Sequence, residues 1–207
     1  MIEEVSIIDY GLGNIYSIQK AIDLLGYSSK LIRCPEEIQH ASHVVLPGVG
    51  AFPYAMNVLS KDGLNEAIVE YANAGGRLLG ICLGMQLLFS QSEENGLSTG
   101  LQLLNGTVKK FPNYEGYAVP QVQWNQVSMQ DRSILMSCIN NNEYFYFLHS
   151  FFVEPNDTAN CEVGLSNYAG KDYISLVESG NVMGTQFHPE KSGKAGLKLI
   201  NNFIRKG

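Results

Sequence analysis

Gly80-Ile81-Cys82-Leu83-Gly84-Met85-Gln86 is the most informative segment of this chain for its architecture. It follows an apolar run, Arg77 to Ile81, that we interpret as a buried strand. It leads into Leu83 to Ser92, which we expect to be a helix. A strand, a tight turn at a nucleophilic side chain and a helix form the nucleophile elbow of α/β proteins, here with cysteine in the central position. The flanking glycines allow the chain to reverse sharply at Cys82.

The first half of the chain alternates short apolar runs with helical patterns, which is typical of a parallel sheet with crossover helices. The other predicted strands there are Val5–Ile8, Lys30–Arg33 and His43–Leu46, and the predicted helices are Ile15–Leu25 and Tyr54–Asn73 with a break near Gly63. Apolar side chains on one face of the first helix are Ile15, Ile18, Ile22 and Leu25.

The second half changes character from about Gly100 to Val182, where strands joined by polar turns predict an antiparallel section. Asn181 to Phe187 is the last predicted strand, and Ser192 is placed to cap a final helix. The apolar stripe of that helix is Leu199, Ile200, Phe203 and Ile204. We therefore expect an α/β fold in a single domain, residues 1–207, with a mostly parallel central sheet flanked by helices and an added antiparallel section.

Composition excludes several classes of function. The chain has 207 residues with 45% hydrophobic and 16% charged residues, which favours a buried core over disorder. The net charge of −6 argues against a nucleic-acid partner, because phosphate binding needs clustered Lys and Arg. No apolar run is long enough for a membrane span, and the acidic start Met1-Ile2-Glu3-Glu4 is unlike a secretory leader. Four cysteines without a Cys-x-x-Cys pair fit a cytoplasmic protein.

Cys82 is the candidate nucleophile. At the start of a helix the thiolate is favoured over the thiol, and the backbone N–H of Leu83 can donate to an oxyanion. The carboxyl ends of parallel strands are also where ligands bind in open α/β folds. The alternative is a small buried cysteine that packs behind a glycine turn.

A cysteine nucleophile needs a base, and the base needs an orienting group. His188-Pro189-Glu190 supplies both after the last predicted strand. Pro189 favours an extended His188, and residues two apart in an extended chain point to the same side, so Glu190 can align the imidazole. The alternative is a surface turn, which the presence of the Cys82 elbow makes the weaker interpretation.

The remaining motifs predict no metal site and no cofactor. His40 and His43 have a His-x-x-His spacing without a third ligand. His149 lies in an aromatic-rich strand and is interpreted from the residues alone as a hydrogen-bonded structural histidine. Gly11-Leu12-Gly13 begins like a dinucleotide fingerprint, but Tyr16 stands where its third glycine should be.

These segments together resemble the class I (triad) glutamine amidotransferases over almost the whole chain. Within that family the sequence is similar to glutaminase subunits of imidazole glycerol phosphate synthase. The segments that carry the resemblance are Asp9–Asn14, Leu46–Phe52, Gly80–Leu88, Tyr146–Ser150 and Gln186–Ser192.

The resemblance implies roles for individual residues. Cys82 would attack the carboxamide carbon of L-glutamine, His188 would transfer protons, and Glu190 would orient His188. The residues expected to form the oxyanion hole and hold the substrate are Gly48, Val49, Gly50, Leu83, Gln86, His149, Ser150 and Phe151.

The resemblance also implies a partner, a (β/α)8-barrel cyclase subunit in a heterodimer. That subunit would use the ammonia to make imidazole glycerol phosphate and AICAR in histidine biosynthesis. Residues expected near the interface are Asn14, Gln121, Gln123, Trp124 and Lys191. The family commonly has Pro-His-Met-Gly-Trp-Asn where this chain has Pro120-Gln121-Val122-Gln123-Trp124-Asn125. An alternative acceptor is therefore an amidino-sugar step of surface polysaccharide biosynthesis with a cyclase-like partner.

Two further alternatives differ in class. One is a non-catalytic scaffold subunit, which would be favoured by a missing Cys, His or Glu, and all three are present. The other is a cysteine hydrolase that acts on a different amide, such as a γ-glutamyl peptide. The triad does not separate that hydrolase from a glutaminase, whereas activation by a barrel partner does.

Overall fold

The computed structural model describes residues 4–113, 115–129, 133–154 and 160–205. Met1, Ile2 and Glu3, on which most of the argument against a leader rests, lie outside these residues. Within the described ranges, no helix is both long and apolar enough to cross a membrane.

Strands and helices alternate in the first half, and strands dominate the second. The strands are β1 (Glu4–Ile8), β2 (Ser28–Ile32), β3 (His43–Leu46), β4 (Arg77–Ile81), β5 (Phe89–Ser92), β6 (Ser98–Thr99), β7 (Leu104–Lys110), β8 (Gln121–Met129), β9 (Glu143–His149), β10 (Phe151–Val153), β11 (Glu162–Tyr168), β12 (Lys171–Ser179) and β13 (Val182–Thr185). The helices are α1 (Ile15–Leu24), α2 (Pro35–Gln39), α3 (Phe52–Lys61), α4 (Leu64–Asn73), α5 (Leu83–Leu87) and α6 (Gly193–Arg205).

The central sheet is parallel in the order β2-β1-β3-β4-β13. From β13 it continues through antiparallel β12 and β10 toward β7, and β11, β8 and β9 branch from β12. This arrangement confirms the expected α/β architecture with an added antiparallel section. Because β4 and β13 are parallel neighbours, the residues that follow Ile81 and Thr185 meet at the same edge of the sheet.

Two apolar layers cover the two faces of the parallel strands. One layer packs α2 to α5 on the sheet, with Phe52, Leu59 and Ile68 fully buried. The other packs α1 and α6 on the opposite face through side chains such as Ile22 and Phe203. The predicted stripe of α6, Leu199, Ile200, Phe203 and Ile204, is wholly buried, which confirms the period-3.6 interpretation of that segment.

The predicted helix from Leu83 to Ser92 was wrong in length. Helix α5 ends at Leu87, and Phe89–Ser92 is strand β5, paired with β6 and β7. The carbonyls of Leu87 and Leu88, which a longer helix would use, accept hydrogen bonds from Leu101 N–H at 2.8 Å and from Leu103 N–H at 3.0 Å. Tertiary pairing therefore ends the helix early.

Three smaller differences concern the edges of elements. Helix α2 was not predicted, although Pro35 at its first position followed by Glu36 and Glu37 is a helix-start signal. The last strand is shorter than expected and ends at Thr185. Ser192 directly precedes α6, but its hydroxyl accepts from Tyr146 N–H at 3.0 Å and donates to the His188 carbonyl at 2.7 Å.

Candidate active site

Cys82 lies in a sharp turn between β4 and α5. Its backbone has φ 56° and ψ −111°, a conformation that residues other than glycine rarely adopt. The turn is held by hydrogen bonds from Cys82 N–H to the Thr185 carbonyl at 2.7 Å and from Gln86 N–H to the Cys82 carbonyl at 3.2 Å. The geometry is that of a nucleophile elbow, in which local strain presents the side chain at the edge of the sheet.

Glycines make the elbow possible because backbone packs directly on backbone around it. A Cβ on Gly84 would lie 1.9 Å from the Leu46 carbonyl oxygen, and one on Gly80 would lie 2.7 Å from Gly84. A Cβ on Gly48 would lie 2.7 Å from Gly84 N. The expectation that flanking glycines relieve crowding is confirmed, and Gly48 belongs to the same close contact.

His188 and Glu190 form a buried pair beside the elbow. His188 Nδ1 lies 2.9 Å from Glu190 Oε1, and both side chains are almost entirely excluded from solvent. The backbone that joins His188 to Glu190 differs from the expected extended segment, because Pro189–Lys191 forms a 3₁₀ turn after an extended His188. The contact with Glu190 at Nδ1 leaves Nε2 as the nitrogen available for Cys82.

The charges of the site favour a protonated His188. Burial lowers the pKa of His188, but the Cys82 charge and the hydrogen bonds to Cys82 and Glu190 outweigh burial and raise the pKa to about 10. An imidazolium that is stable near neutral pH is the natural counterion of a thiolate and a ready donor to a leaving group.

A cavity of about 250 Å³ opens on these residues. Its walls come from several elements and are lined by Asn14, Val49, Gly50, Cys82, Leu83, Gln86, Glu94, Leu148, His149, Ser150, Phe151, His188 and Lys191. Of the residues predicted to hold substrate, Gly48 alone is not in this lining and instead packs behind Leu83 and Gly84.

The loop after β3 is supported by contacts from the segment that follows β1. The Tyr10 hydroxyl donates to the Pro47 carbonyl at 2.9 Å, and burial, followed by the nearby Cys82 charge, raises the pKa of Tyr10 so that this donor stays protonated. A Cβ on Gly13 would lie 2.9 Å from the Pro47 side chain. The Asp9–Asn14 and Leu46–Phe52 segments therefore pack against each other, and their contacts hold Val49 and Gly50 in place.

His149 is a neutral histidine in the cavity wall. Its Nδ1 lies 2.7 Å from the Phe151 carbonyl, which can only accept, so the proton is on Nδ1. Burial lowers the pKa of His149 to about 4, and the His188 charge acts in the same direction. The hydrogen-bonded histidine predicted from the residues alone is confirmed, and the position of His149 in the cavity lining agrees with the family resemblance as well.

Sequence reasoning missed two polar residues of the site. Glu94 lines the cavity and its Oε2 accepts from Phe52 N–H at 2.7 Å, at the start of α3. Gln186 is completely buried, and its Nε2 lies 3.8 Å from Cys82 Sγ. Both contacts join segments far apart in the chain, although Gln186 begins the Gln186–Ser192 segment that carries part of the family resemblance.

The residues expected at a partner interface lie in three different places. Asn14 and Lys191 line the cavity, and Gln123 and Trp124 are exposed on β8. Gln121 is a correction, because its side chain is fully buried and its Oε1 accepts from the Tyr173 hydroxyl at 3.1 Å. A partner subunit cannot touch Gln121 in this structure.

Comparison with known proteins agrees with this geometry. The family model described as glutamine amidotransferase class-I matches residues 6–206. A protein of Methanosarcina barkeri named imidazole glycerol phosphate synthase subunit HisH is 46% identical over 206 residues, covering 98% of both chains. A protein of the same name from Moorella thermoacetica is 47% identical over 199 residues, covering 96% of this chain and 93% of its own.

Solved structures share the fold at low sequence identity. A crystal structure of a glutamine amidotransferase superposes with a TM-score of 0.75 at 18% identity, covering 97% of this chain and 96% of that one. The structure of PurLQS from Thermotoga maritima gives a TM-score of 0.75 at 19% identity, covering 99% and 98%.

Proposed function

The chain belongs to the class I glutamine amidotransferases, and we propose that it is the glutaminase subunit of an imidazole glycerol phosphate synthase. The observation that carries the proposal is that Cys82 and His188 meet at one cavity, where the parallel pairing of β4 and β13 brings their strand ends together, and that Glu190 contacts His188 at 2.9 Å. All three members of a Cys-His-Glu triad are buried side by side, which argues against a non-catalytic scaffold.

The reaction begins with attack of the Cys82 thiolate on the carboxamide carbon of glutamine. The C–N bond then breaks, His188 gives its proton to the departing nitrogen, and ammonia leaves a γ-glutamyl thioester on Cys82. His188, now neutral, removes a proton from water as the water attacks the thioester, which returns the thiolate and releases glutamate. Glu190 holds the imidazole orientation through both steps.

Stabilisation of the oxyanion falls to backbone N–H groups at the elbow. Leu83 follows Cys82 directly, and it lines the cavity together with Val49 and Gly50. Removal of one such donor typically costs 10² to 10³ in rate in other hydrolases, so the placement of this loop matters for the rate.

The cavity suits an α-amino acid with a side-chain amide. The Glu94 carboxylate offers a negative charge to an α-ammonium group, and the segment His149–Phe151 supplies backbone groups for the α-carboxylate. Gln86 lines the same wall, with its NH₂ bonded to the Phe151 carbonyl at 3.0 Å and to Gln186 Oε1 at 2.9 Å. Its Oε1 is thereby directed away from those groups and can accept from substrate.

The ammonia acceptor is proposed to be a separate barrel-shaped cyclase, docked on the outer face of the β8–β9 hairpin. Four large apolar side chains of this hairpin are at least 40% exposed: Val122, Trp124, Tyr144 and Leu148. Val122 pairs directly with Leu148, which also lines the Cys82 cavity, so this surface, the hairpin face, adjoins the cavity. Contiguous exposed apolar surface beside a site is typical of a partner interface.

The proposed products at the cyclase are imidazole glycerol phosphate and AICAR, as in histidine biosynthesis. A different acceptor is suggested by the replacement of family residues at Gln121 and Gln123. The burial of Gln121 removes one of those two positions from the surface, which weakens the argument for an amidino-sugar pathway.

The test is ammonia release from glutamine by the purified chain, alone and with a histidine-pathway cyclase and its nucleotide ligand. We expect low activity alone, a strong rise with the cyclase, and loss of activity in Cys82→Ala. Cys138→Ala, which changes an exposed cysteine, is the matched control and should keep full activity. Activity that persists in Cys82→Ala would overturn the triad, and activity that ignores the cyclase would overturn the pathway.

A further inference from the structure

Gln186 sits behind the nucleophile, at the first position after β13, and none of its side chain is exposed to solvent. A buried amide is costly unless both of its ends are hydrogen-bonded. Gln186 Oε1 accepts from Gln86 Nε2 at 2.9 Å, and Gln186 Nε2 lies 3.8 Å from Cys82 Sγ. The residue therefore connects the nucleophile with a second buried glutamine.

The direction of this connection is fixed by a backbone carbonyl. The Phe151 carbonyl can only accept, so the Gln86 atom 3.0 Å from it must be the NH₂ nitrogen. That same NH₂ group faces Gln186, so the Gln186 atom opposite it must be the acceptor Oε1. The remaining end of Gln186, which faces Cys82, is consequently a donor, and a rotated amide would place two NH₂ groups against each other.

The Leu148 carbonyl, which also contacts the sulfur, has the opposite preference. The Leu148 carbonyl lies 3.8 Å from Cys82 Sγ, and a carbonyl can accept from the thiol but cannot donate to the thiolate. Gln186 Nε2 therefore adds a neutral donor to the thiolate, in addition to the His188 charge. N–H contacts to a charged acceptor are stronger than those to a neutral one, so this contact favours the thiolate over the thiol.

We propose that Gln186 is a positioning residue for the reaction, which holds the Cys82 sulfur and stabilises its thiolate through a hydrogen-bond chain that runs from the Phe151 carbonyl through Gln86. This series of hydrogen bonds begins at the Phe151 carbonyl, in the wall of the substrate cavity, and ends at the Cys82 sulfur, which is the reacting atom. This inference rests on the proposed function, because it takes Cys82 as the nucleophile.

The measurement is the pH profile of Cys82 alkylation by iodoacetamide, followed in the full-length chain by mass spectrometry of the Cys82 peptide. Gln186→Met removes the donor, and Gln186→Glu keeps the shape but replaces the NH₂ by an oxygen. Both should move the pH of half-maximal alkylation of Cys82 upward by about one unit, a tenfold fall in thiolate at a given pH. In the glutaminase complex they should lower kcat with little change in KM.

Controls separate this effect from general destabilisation. Asn202 is an equally buried amide that donates to the carbonyls of Leu135 and Ser137 on the α6 side of the molecule. Asn202→Leu should lower the melting temperature and leave the Cys82 profile unchanged. The exposed Cys34 and Cys138 peptides are internal references in every sample.

An unshifted Cys82 profile in a folded Gln186→Met chain would overturn the proposal. Where neither Gln186 variant folds, Gln86→Met is the deciding variant, because it releases the Gln186 amide. An upward shift in the pH of half-maximal Cys82 alkylation would then support the proposal, and an unchanged pH would overturn it. Failure of the proposed function would look different, with wild-type Cys82 reacting no faster than Cys34 and Cys138 at any pH.

Discussion

Cys82 combines a reactive side chain with a strained backbone, and the strain has a measurable consequence. A residue other than glycine at φ 56° and ψ −111° costs on the order of 1–3 kcal/mol, which the glycine contacts and the bond to the Thr185 carbonyl offset. The proximity of Cys82, His188 and Glu190 could be predicted from sequence because each residue lies in a short motif. Glu94 and Gln186 could not, since their roles arise from contacts 42 and 104 residues apart in the chain.

Replacement of Cys82 by glycine should stabilise the fold relative to replacement by alanine. Both variants lose the thiol, but glycine accepts the positive φ without a Cβ penalty, and this gain exceeds its entropy cost in the unfolded chain. We expect Cys82→Gly to exceed Cys82→Ala by about 1 kcal/mol in free energy of unfolding, from urea denaturation. Equal stabilities, or a more stable alanine variant, would show that the elbow relaxes without strain.

His149 should make the fold sensitive to acid. Its pKa of about 4 in the folded chain lies below the ordinary value of 6.5, so the unfolded state binds the proton first. The contribution of His149 to stability is complete above pH 6.5 and is lost as the pH falls through 4. The loss is about 3 kcal/mol at most.

The measurement is the difference in unfolding free energy between the wild type and His149→Gln from pH 7 to pH 4. Other titrating groups cancel in this difference, apart from the coupling of His149 to His188. The wild-type advantage should shrink on acidification. A difference that does not change with pH would contradict a neutral, buried His149.

The elbow as an element depends on backbone packing that a sequence pattern only partly reveals. The strand and the start of the helix were predicted from the apolar run and the flanking glycines. The end of α5 was not, because the Leu87 and Leu88 carbonyls are taken by the segment Leu101–Leu104, a tertiary contact that outweighs the helical pattern. The same limitation explains why the antiparallel section was predicted in outline but not strand by strand.

Gly84→Ala should disrupt the elbow strongly. The added Cβ would lie 1.9 Å from the Leu46 carbonyl oxygen, so β3 and α5 must separate. We expect a loss of roughly 3 kcal/mol or more in free energy of unfolding, together with loss of glutaminase activity. Gly75→Ala is the matched control, because its Cβ would meet open space at φ +89° and only the strain of about 1 kcal/mol remains. Comparable losses in the two variants would contradict the packing argument.

The whole molecule places the cavity beside an exposed apolar surface. The parallel strands bring Cys82 and His188 to one edge, and the hairpin of β8 and β9 extends the sheet so that Leu148 joins the cavity to the hairpin face. The general α/β architecture followed from strand and helix alternation. The burial of Gln121 could not be predicted from the sequence, because its side chain is held by a hydrogen bond from the Tyr173 hydroxyl of a distant strand.

Trp124→Ala should weaken binding of the proposed cyclase subunit without unfolding this chain. Trp124 is 51% exposed, and aromatic side chains of this kind often contribute more than 2 kcal/mol to an interface. We expect at least a tenfold rise in Kd by isothermal calorimetry, with unchanged thermal stability. Ile134→Ala, which changes an exposed apolar residue next to the Glu178 carboxylate, is the control and should bind normally. Unchanged affinity for Trp124→Ala would exclude the hairpin face as the docking surface.

The proposed reaction passes through a γ-glutamyl thioester on Cys82, and this intermediate can be trapped. The chain, assembled with the cyclase and its ligand, is mixed with glutamine, quenched with acid within milliseconds and weighed intact by mass spectrometry. We predict a species heavier by one γ-glutamyl group, assigned to the Cys82 peptide after digestion and missing from Cys82→Ala. Ammonia release without any adduct at Cys82, or an adduct on another residue, would contradict the mechanism.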